Sequence, residues 1–366
     1  MRLCLIGNPN LAHIRRWVQD FANLGWEVHL IGEHQLRVAA PKNCIFYDLP
    51  KFFNARKLRY LAWGIAVRGL VKRIRPQLVH SLGVASAGWL GVLTNFRPFL
   101  VSALGSDLML LDRRSAAHRT LSRIVLSKAD YVLCVSTPLF QKAGEFGVTL
   151  DRRQIVYLGV NTDIFNSNQD RKNLRQVLGL PQSPLALNLR AIHDVYRPLD
   201  LAQAIPAVLN RVQEANFAVF TYNSDPVLLA EFRRKIEVAG AGNSVFYIPP
   251  LIDDRVIASY FQAADVAISI PTSDGMPASV LEAMACGCSL VASDLPNLKE
   301  WVRDEQEGLI VPVGNVPKLE DALVRLLTDA PLRMRIQANA IQVIQRQGSR
   351  QQTLKLVQQI YEKFIS

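Results

Sequence analysis

The chain has 366 residues and a mass of 40.9 kDa, is 49% hydrophobic and 20% charged, and carries a net charge of +11. That composition excludes disorder as the main state, and the length predicts two domains, each large enough to bury a core without cross-links. The five cysteines are odd in number and are not spaced with histidines as zinc ligands are, so neither a disulfide framework nor a zinc centre is expected, and a reducing cytoplasm is the expected setting.

Residues Met1 to Gly7 read as a first strand and lack the long apolar stretch and small-residue cleavage site of a secretory leader. No apolar run approaches the ~18 residues needed to cross a bilayer. The best candidate, Tyr60 to Val71, is short and contains Arg68. Along the chain, short β-branched runs alternate with amphipathic helical stretches, which is the rhythm of parallel sheets covered by helices. In the first half, strands are expected at Arg2–Ile6, Glu27–Ile31, Leu78–His80, Phe99–Ser102, Tyr131–Val135 and Gln154–Tyr157. In the second half they are expected at Leu185–Arg190, Phe217–Tyr222, Val245–Tyr247, Val266–Ile270, Ser289–Ala292 and Leu309–Val311. Between them, Asn161 to Pro184 has the Asn, Asp, Gln and Pro content of a connection. The expected fold class is α/β, with two doubly wound, Rossmann-like parallel-sheet domains facing a cleft. Their expected bounds are 1–165 and 185–366, joined by a linker at 166–184, with the helical tail from Pro331 onward in the second domain.

Charge is distributed unevenly. Of 42 basic and 31 acidic residues, 22 and 10 fall in residues 1–165, so the excess sits in the first half. Residues 51–100 hold nine Lys or Arg and no acid, interleaved with Leu58, Tyr60, Leu61, Trp63, Ile65 and Leu70. A solvated helix face is the plain explanation of such a run, and an anionic membrane surface, met by an interfacial helix, is the sharper expectation. No nucleic acid is expected as a partner, because no helix-turn-helix, zinc-finger or base-stacking signature accompanies the charge.

After the first strand, Gly7-Asn8-Pro9-Asn10 stands where a dinucleotide-binding turn would carry Gly-x-Gly-x-x-Gly, and there is no P-loop. The most informative stretch runs from Ser269 to Cys288. A strand ends, a loop follows, and a helix begins near Pro277 to Ser279, where unpaired N–H groups make an anion site. Asp274 precedes the helix and Glu282 lies about one turn inside it, so both can face one ligand. Carboxylates are tolerated beside a phosphate when they accept hydrogen bonds from hydroxyls. A sugar nucleotide presents both groups.

This stretch resembles the hallmark of the retaining glycosyltransferases of family four, which have the GT-B fold. That hallmark is an acidic residue, seven others and a glutamate, followed by Ala-Met-Ala-Cys-Gly; here Asp274 and Glu282 enclose residues 275 to 281, and Ala283 to Gly287 follow. The resemblance continues through His13 to Trp17, Gly25 to Val28, Gly105-Ser106-Asp107, Lys128 to Ser136, Leu158 to Phe165 and Ala264-Asp265-Val266. It implies that Glu282 binds the donor ribose and Asp274 the transferred sugar, that the backbone of Gly275 and Met276 approaches sugar and phosphate, and that Ser279 and Val280 receive the diphosphate. Arg190, and less closely Arg197, match the basic pair that neutralises the leaving diphosphate, so neither a cofactor nor a metal is expected. His13, His80 and Asp107 are the expected helpers from the first domain, while Leu104 stands where many relatives carry a histidine. Each has a plainer alternative: a packed or capping His13, a core His80, an N-capping Asp107, an ion-paired Arg197. Asp253-Asp254 is expected to start a helix.

The implied activity is metal-independent transfer, with retention, from a nucleotide-diphosphate sugar to a lipid-linked or polysaccharide acceptor. The implied setting is the cytoplasm, including the inner face of the membrane. Two other expectations stand beside it: a GT-B epimerase or phosphorylase, and a catalytically inactive GT-B binding protein, the latter supported by Leu104 and the displaced Arg197.

Overall fold

The computed structural model describes residues 1–32, 40–49, 56–110, 115–250, 253–276 and 278–365. Lys51 and Pro277, and the side chains of Arg56, Lys57, Leu58 and Leu61, lie outside that description. The chain divides into two units, Met1–Leu158 with Gln352–Ser366, and Gly159–Gln351.

In the first unit, β1 (Arg2–Ile6), β2 (Glu27–Gly32), β3 (Cys44–Asp48), β4 (Leu78–Leu82), β5 (Phe99–Ala103), β6 (Tyr131–Cys134) and β7 (Arg153–Ile155) form one parallel sheet in the order β3-β2-β1-β4-β5-β6-β7. Strands β4, β5 and β6 are buried at every position, which is why they read as unbroken apolar runs: helices cover both faces of such a sheet. Strand β3 is not among the expected strands. It lies at the sheet edge with half-buried and exposed side chains, and so lacks that mark.

In the second unit, β8 (Leu185–Asn188), β9 (Asn216–Phe220), β10 (Val245–Ile248), β11 (Val266–Ser269), β12 (Ser289–Ser293) and β13 (Gly308–Val311) pair in parallel in the order β10-β9-β8-β11-β12-β13. The two expected Rossmann-like sheets are therefore present. Strand order reverses between β8 and β11, and the ligands of such sheets bind outside the carboxyl ends of the strands at that point.

Two domain assignments are corrected. The expected linker, 166–184, is an integral part of the second unit. Arg171 and Arg175, on the helix Arg171–Val177, reach the Asp265 carboxylate at 3.1 and 2.6 Å, and Asp265 also accepts the N–H of Leu185 at the head of β8 (2.9 Å). This buried ion cluster binds a polar-looking segment to the sheet. The tail is divided as well, because Gln352–Ser366 packs with the first unit rather than the second. Tyr361 is fully buried there, stacked 5.1 Å from Phe21, and its hydroxyl accepts the Trp17 indole N–H (3.2 Å) and bonds His80 Nδ1.

His80 lies inside β4 with no exposed surface, and its Nε2 sits 2.8 Å from Ser102 Oγ. Burial drives its pKa from 6.5 down to about 3. The imidazole is therefore neutral at physiological pH and serves the core, the plainer of the two expectations for it. The unfolded chain takes up this proton near pH 6.5 and the folded chain only near 3, so acid favours unfolding in that window. His80 is predicted to cost about 2 kcal/mol of stability between pH 7 and pH 5. Thermal melts of His80→Gln across that range should show a flatter pH slope than wild type; parallel slopes would remove His80 from the account.

The helix Arg56–Ile74 buries Trp63, Val67, Val71 and Ile74 along one stripe and packs on the helix Ser86–Thr94, leaving Ile65, Arg68, Lys72 and Arg73 exposed. Trp63 is thus a core residue and not part of an interfacial face as expected. Among the described residues, no helix is long and apolar enough to cross a membrane.

Candidate active site

At the switch point of the second unit, two loops leave neighbouring strands. One follows β8 and carries Arg190; the other follows β11 and carries Asp274, Gly275 and Met276. The helix Ala278–Ala285 then presents Ser279 in its first turn and Glu282 one turn on. Its far end explains the Cys-Gly of the motif. Cys288 N–H bonds Ala283 O (2.9 Å) and Gly287 N–H bonds Met284 O (3.1 Å), a closure that needs the left-handed φ of +74° that Gly287 adopts. The helix is short because its stop is encoded, and that fixes Glu282 relative to the strand end.

Arg190 gathers the site. Its Nη2 lies 2.9 Å from Asp274 Oδ2, its Nη1 donates to Ser279 Oγ (3.2 Å), and its guanidinium carbon sits 4.1 Å from the centre of the Tyr196 ring. The two loops are also joined through backbone, as Thr272 N–H donates to Val195 O (2.8 Å). Burial alone would lower the Arg190 pKa, but the carboxylate of Asp274, with Tyr196 and Glu282, outweighs it and holds the group above its ordinary value. A fixed, fully charged cation results. Asp274 Oδ1 accepts the N–H of its neighbour Gly275 (2.8 Å), whereas Oδ2, though close to the arginine, is buried and receives no aligned hydrogen bond.

The structure thus brings together Arg190, Asp274 and Ser279 by direct contact, with Glu282, only 5% exposed, close enough to act on the arginine charge. Met276 is buried, Gly275 already donates its N–H within the loop, and the Val280 side chain is wholly buried, so only the main chain of Val280 can meet a ligand. Arg197 does not join this cluster. It heads the helix Pro198–Arg211 with φ at +51° and holds Asp200 through two bonds of 2.5 and 3.0 Å, the ion-pair alternative. Tyr196 is a contributor that the sequence reading misses; its only signal is an aromatic side chain just before Arg197.

In the first unit, His13 lies in the first turn of the helix Ala12–Asn23, which follows β1. Asp107 is tied into its loops. Its carboxylate accepts N–H groups from Val84 (2.6 Å), Gly105 (3.0 Å) and Leu108 (3.1 Å), joining the segments that follow β4 and β5. Burial raises its pKa against the pull of those donors. Asp253 caps the helix Asp254–Ala263 by accepting the N–H of Arg255 (2.7 Å), as expected. Among the described residues, no three His, Cys, Asp or Glu side chains gather as metal ligands would.

A parallel six-stranded sheet with a charged cluster of this kind at its switch point places a candidate ligand site on an α/β scaffold. Comparison with known proteins gives the family. The family model described as glycosyl transferases group 1 matches residues 190–329, and the one described as glycosyl transferase 4-like matches residues 2–136. A D-inositol 3-phosphate glycosyltransferase of Xylanimonas cellulosilytica is 31% identical over 213 residues, covering 56% of this chain and 49% of that protein. The chain spans about half the length of the inositol-phosphate relatives it matches. Among solved structures, the sucrose-phosphate synthase of Thermosynechococcus elongatus superposes with a TM-score of 0.85 at 20% identity, covering 99% of this chain and 98% of that one. Anabaena HepE in complex with UDP-glucose gives 0.84 at 15% identity, covering 99% and 100%. These two likenesses establish the fold. The chain belongs to the family-four type of glycosyltransferases and has their GT-B fold of two Rossmann-like units.

Proposed function

We propose that the protein transfers a sugar from a nucleotide-diphosphate donor to a lipid-linked or polysaccharide acceptor, with retention at the anomeric carbon and without a metal. The observation that carries this reading is the Arg190–Asp274–Ser279 cluster at the β8/β11 switch point. Arg190 is the cation stationed to meet charge developing on the leaving diphosphate, Ser279 and the start of its helix receive that diphosphate, and Asp274 Oδ2 accepts from a sugar hydroxyl. Glu282 is assigned to the donor ribose. A UDP-glucose complex in a protein of the same fold makes uridine donors the first to try.

Transfer rather than hydrolysis requires an acceptor hydroxyl on the face from which the diphosphate departs, with a phosphate oxygen taking its proton. His13 is retained as an acceptor-side group. The exposed Arg68, Lys72 and Arg73 support an anionic membrane surface as the place of work. The test is a thermal-shift panel of UDP, GDP and ADP sugars in the presence of EDTA, followed by NMR of the product anomer. Stabilisation of several degrees by one donor family at saturating concentration is expected, together with a product of unchanged anomeric configuration. Inversion, or activity abolished by EDTA, would overturn the corresponding part.

A further inference from the structure

Three different groups hold the Arg190 guanidinium. Asp274 Oδ2 lies 2.9 Å from Nη2, Ser279 Oγ accepts from Nη1 at 3.2 Å, and the Tyr196 ring has the guanidinium carbon over it at 4.1 Å. The first two contacts are polar. On the function proposed above, both have other duties once a donor is bound, because Asp274 takes a sugar hydroxyl and Ser279 the diphosphate. The ring has no such duty. An aromatic face attracts a cation through its quadrupole and leaves the N–H groups of the guanidinium edge free for oxygen acceptors. The stack can therefore persist while the polar partners are exchanged.

Tyr196 is itself anchored. It ends the one-turn helix Asp194–Tyr196, and its N–H donates to His193 O (2.9 Å). The preceding carbonyl, Val195 O, accepts both the N–H (2.8 Å) and the hydroxyl (3.2 Å) of Thr272, which ties this turn to the loop that carries Asp274. On the other side, His193 Nε2 donates to Asn223 O (2.5 Å), and the His193 ring stands edge-on to Tyr196 with centres 6.4 Å apart. The turn that bears the ring is thus fastened to segments that follow the adjacent strands β9, β8 and β11. We propose that Tyr196 is a positioning residue, whose ring face keeps the Arg190 guanidinium aimed at the departing diphosphate while Asp274 and Ser279 pass to the donor. This role rests on the function proposed above.

The test compares the full chain with Tyr196→Leu and Tyr196→Phe, using the donor that stabilises wild type and the nucleoside diphosphate of that donor. Tyr196→Leu should lower kcat about 10- to 100-fold, the scale of a misplacement of about 1 Å. Its Kd for the nucleoside diphosphate should change by less than about threefold, since the lost effect belongs to the transition state. Tyr196→Phe keeps the ring face and should stay within about threefold of wild-type kcat. Because Tyr196 acts through the arginine, Arg190→Ala/Tyr196→Leu should be no slower than Arg190→Ala alone. A readout independent of turnover is the NMR signal of the Arg190 Nε–H, identified by its absence from Arg190→Lys. Lying over an aromatic face, it should be shifted upfield in wild type and in Tyr196→Phe, and should return to the ordinary arginine range in Tyr196→Leu. Wild-type kcat in Tyr196→Leu, an equal loss in Tyr196→Phe, additive losses in the double variant, or a signal that Tyr196→Leu does not move would overturn the inference. A wild type that turns over no donor would instead overturn the proposed function, and the Arg190 signal would still decide whether Tyr196 holds the arginine.

Discussion

Replacing Arg190 with alanine is expected to lower kcat for sugar transfer by about 10²–10³-fold, the usual cost of removing a preorganised charge from a reaction that builds an anion. The Kd for the nucleotide diphosphate alone should rise much less, because the charge the arginine meets is greatest on the departing diphosphate in the transition state. Stability must be separated from catalysis. The side chains of Arg190 and Asp274 are only 14% and 13% exposed, and removing one partner of such a pair strands the other at a cost of about 3 kcal/mol. Arg190→Ala should therefore also melt several degrees lower. The Arg190→Ala/Asp274→Asn double variant should regain much of that stability without regaining turnover. Arg190→Lys should keep the charge but lose the fork and the Tyr196 stack, and fall between. Equal losses in kcat and in nucleotide binding, or a double variant that recovers turnover along with its melting temperature, would remove Arg190 from the reaction.

The parts of this molecule legible from its sequence are those where one residue pattern has one physical solution. Buried parallel strands must be apolar on both faces, so β4, β5 and β11 stand out as runs, while the half-exposed edge strand β3 does not. The loop and helix around Asp274 and Glu282 are legible because the closing turn demands Gly287 and the strand end demands a buried run before it. Partnership at a distance is harder to read. Nothing local says that Tyr361 will meet His80, residues that lie far apart in sequence yet share a buried hydrogen bond. Nor does any spacing show that the carboxylate of Asp107 will be consumed by three backbone donors, or that Arg171 and Arg175 will fold a linker-like segment onto Asp265. Polar residues announce chemistry in a sequence. Whether that chemistry is spent on the fold or kept for a ligand is decided by neighbours that only the tertiary structure supplies.

Glu282 is the sharpest instance of that choice, and its substitution carries the second large expected effect. The residue is 5% exposed on a helix whose other described members from Val280 to Ala285 are buried apolar side chains. A carboxylate so placed costs desolvation energy, and two ribose hydroxyls donating to it would offset that cost. Hydrogen bonds to a charged acceptor contribute about 1.5–3 kcal/mol each, so Glu282→Gln should weaken nucleotide-diphosphate binding by about 10- to 100-fold while preserving the packing volume. Affinity alone does not distinguish a lost ligand contact from a disturbed helix, whereas a double-mutant cycle on the ligand does. Wild type should prefer the ribonucleoside diphosphate over its 2′-deoxy counterpart by about tenfold or more, the value of one charge-assisted bond. Glu282→Gln should shrink that preference toward unity, whatever it does to affinity overall. A variant that binds more weakly but discriminates the two nucleotides as well as wild type does would move Glu282 from the ribose to the scaffold, and would leave Arg190, Asp274 and Ser279 to hold the donor without it.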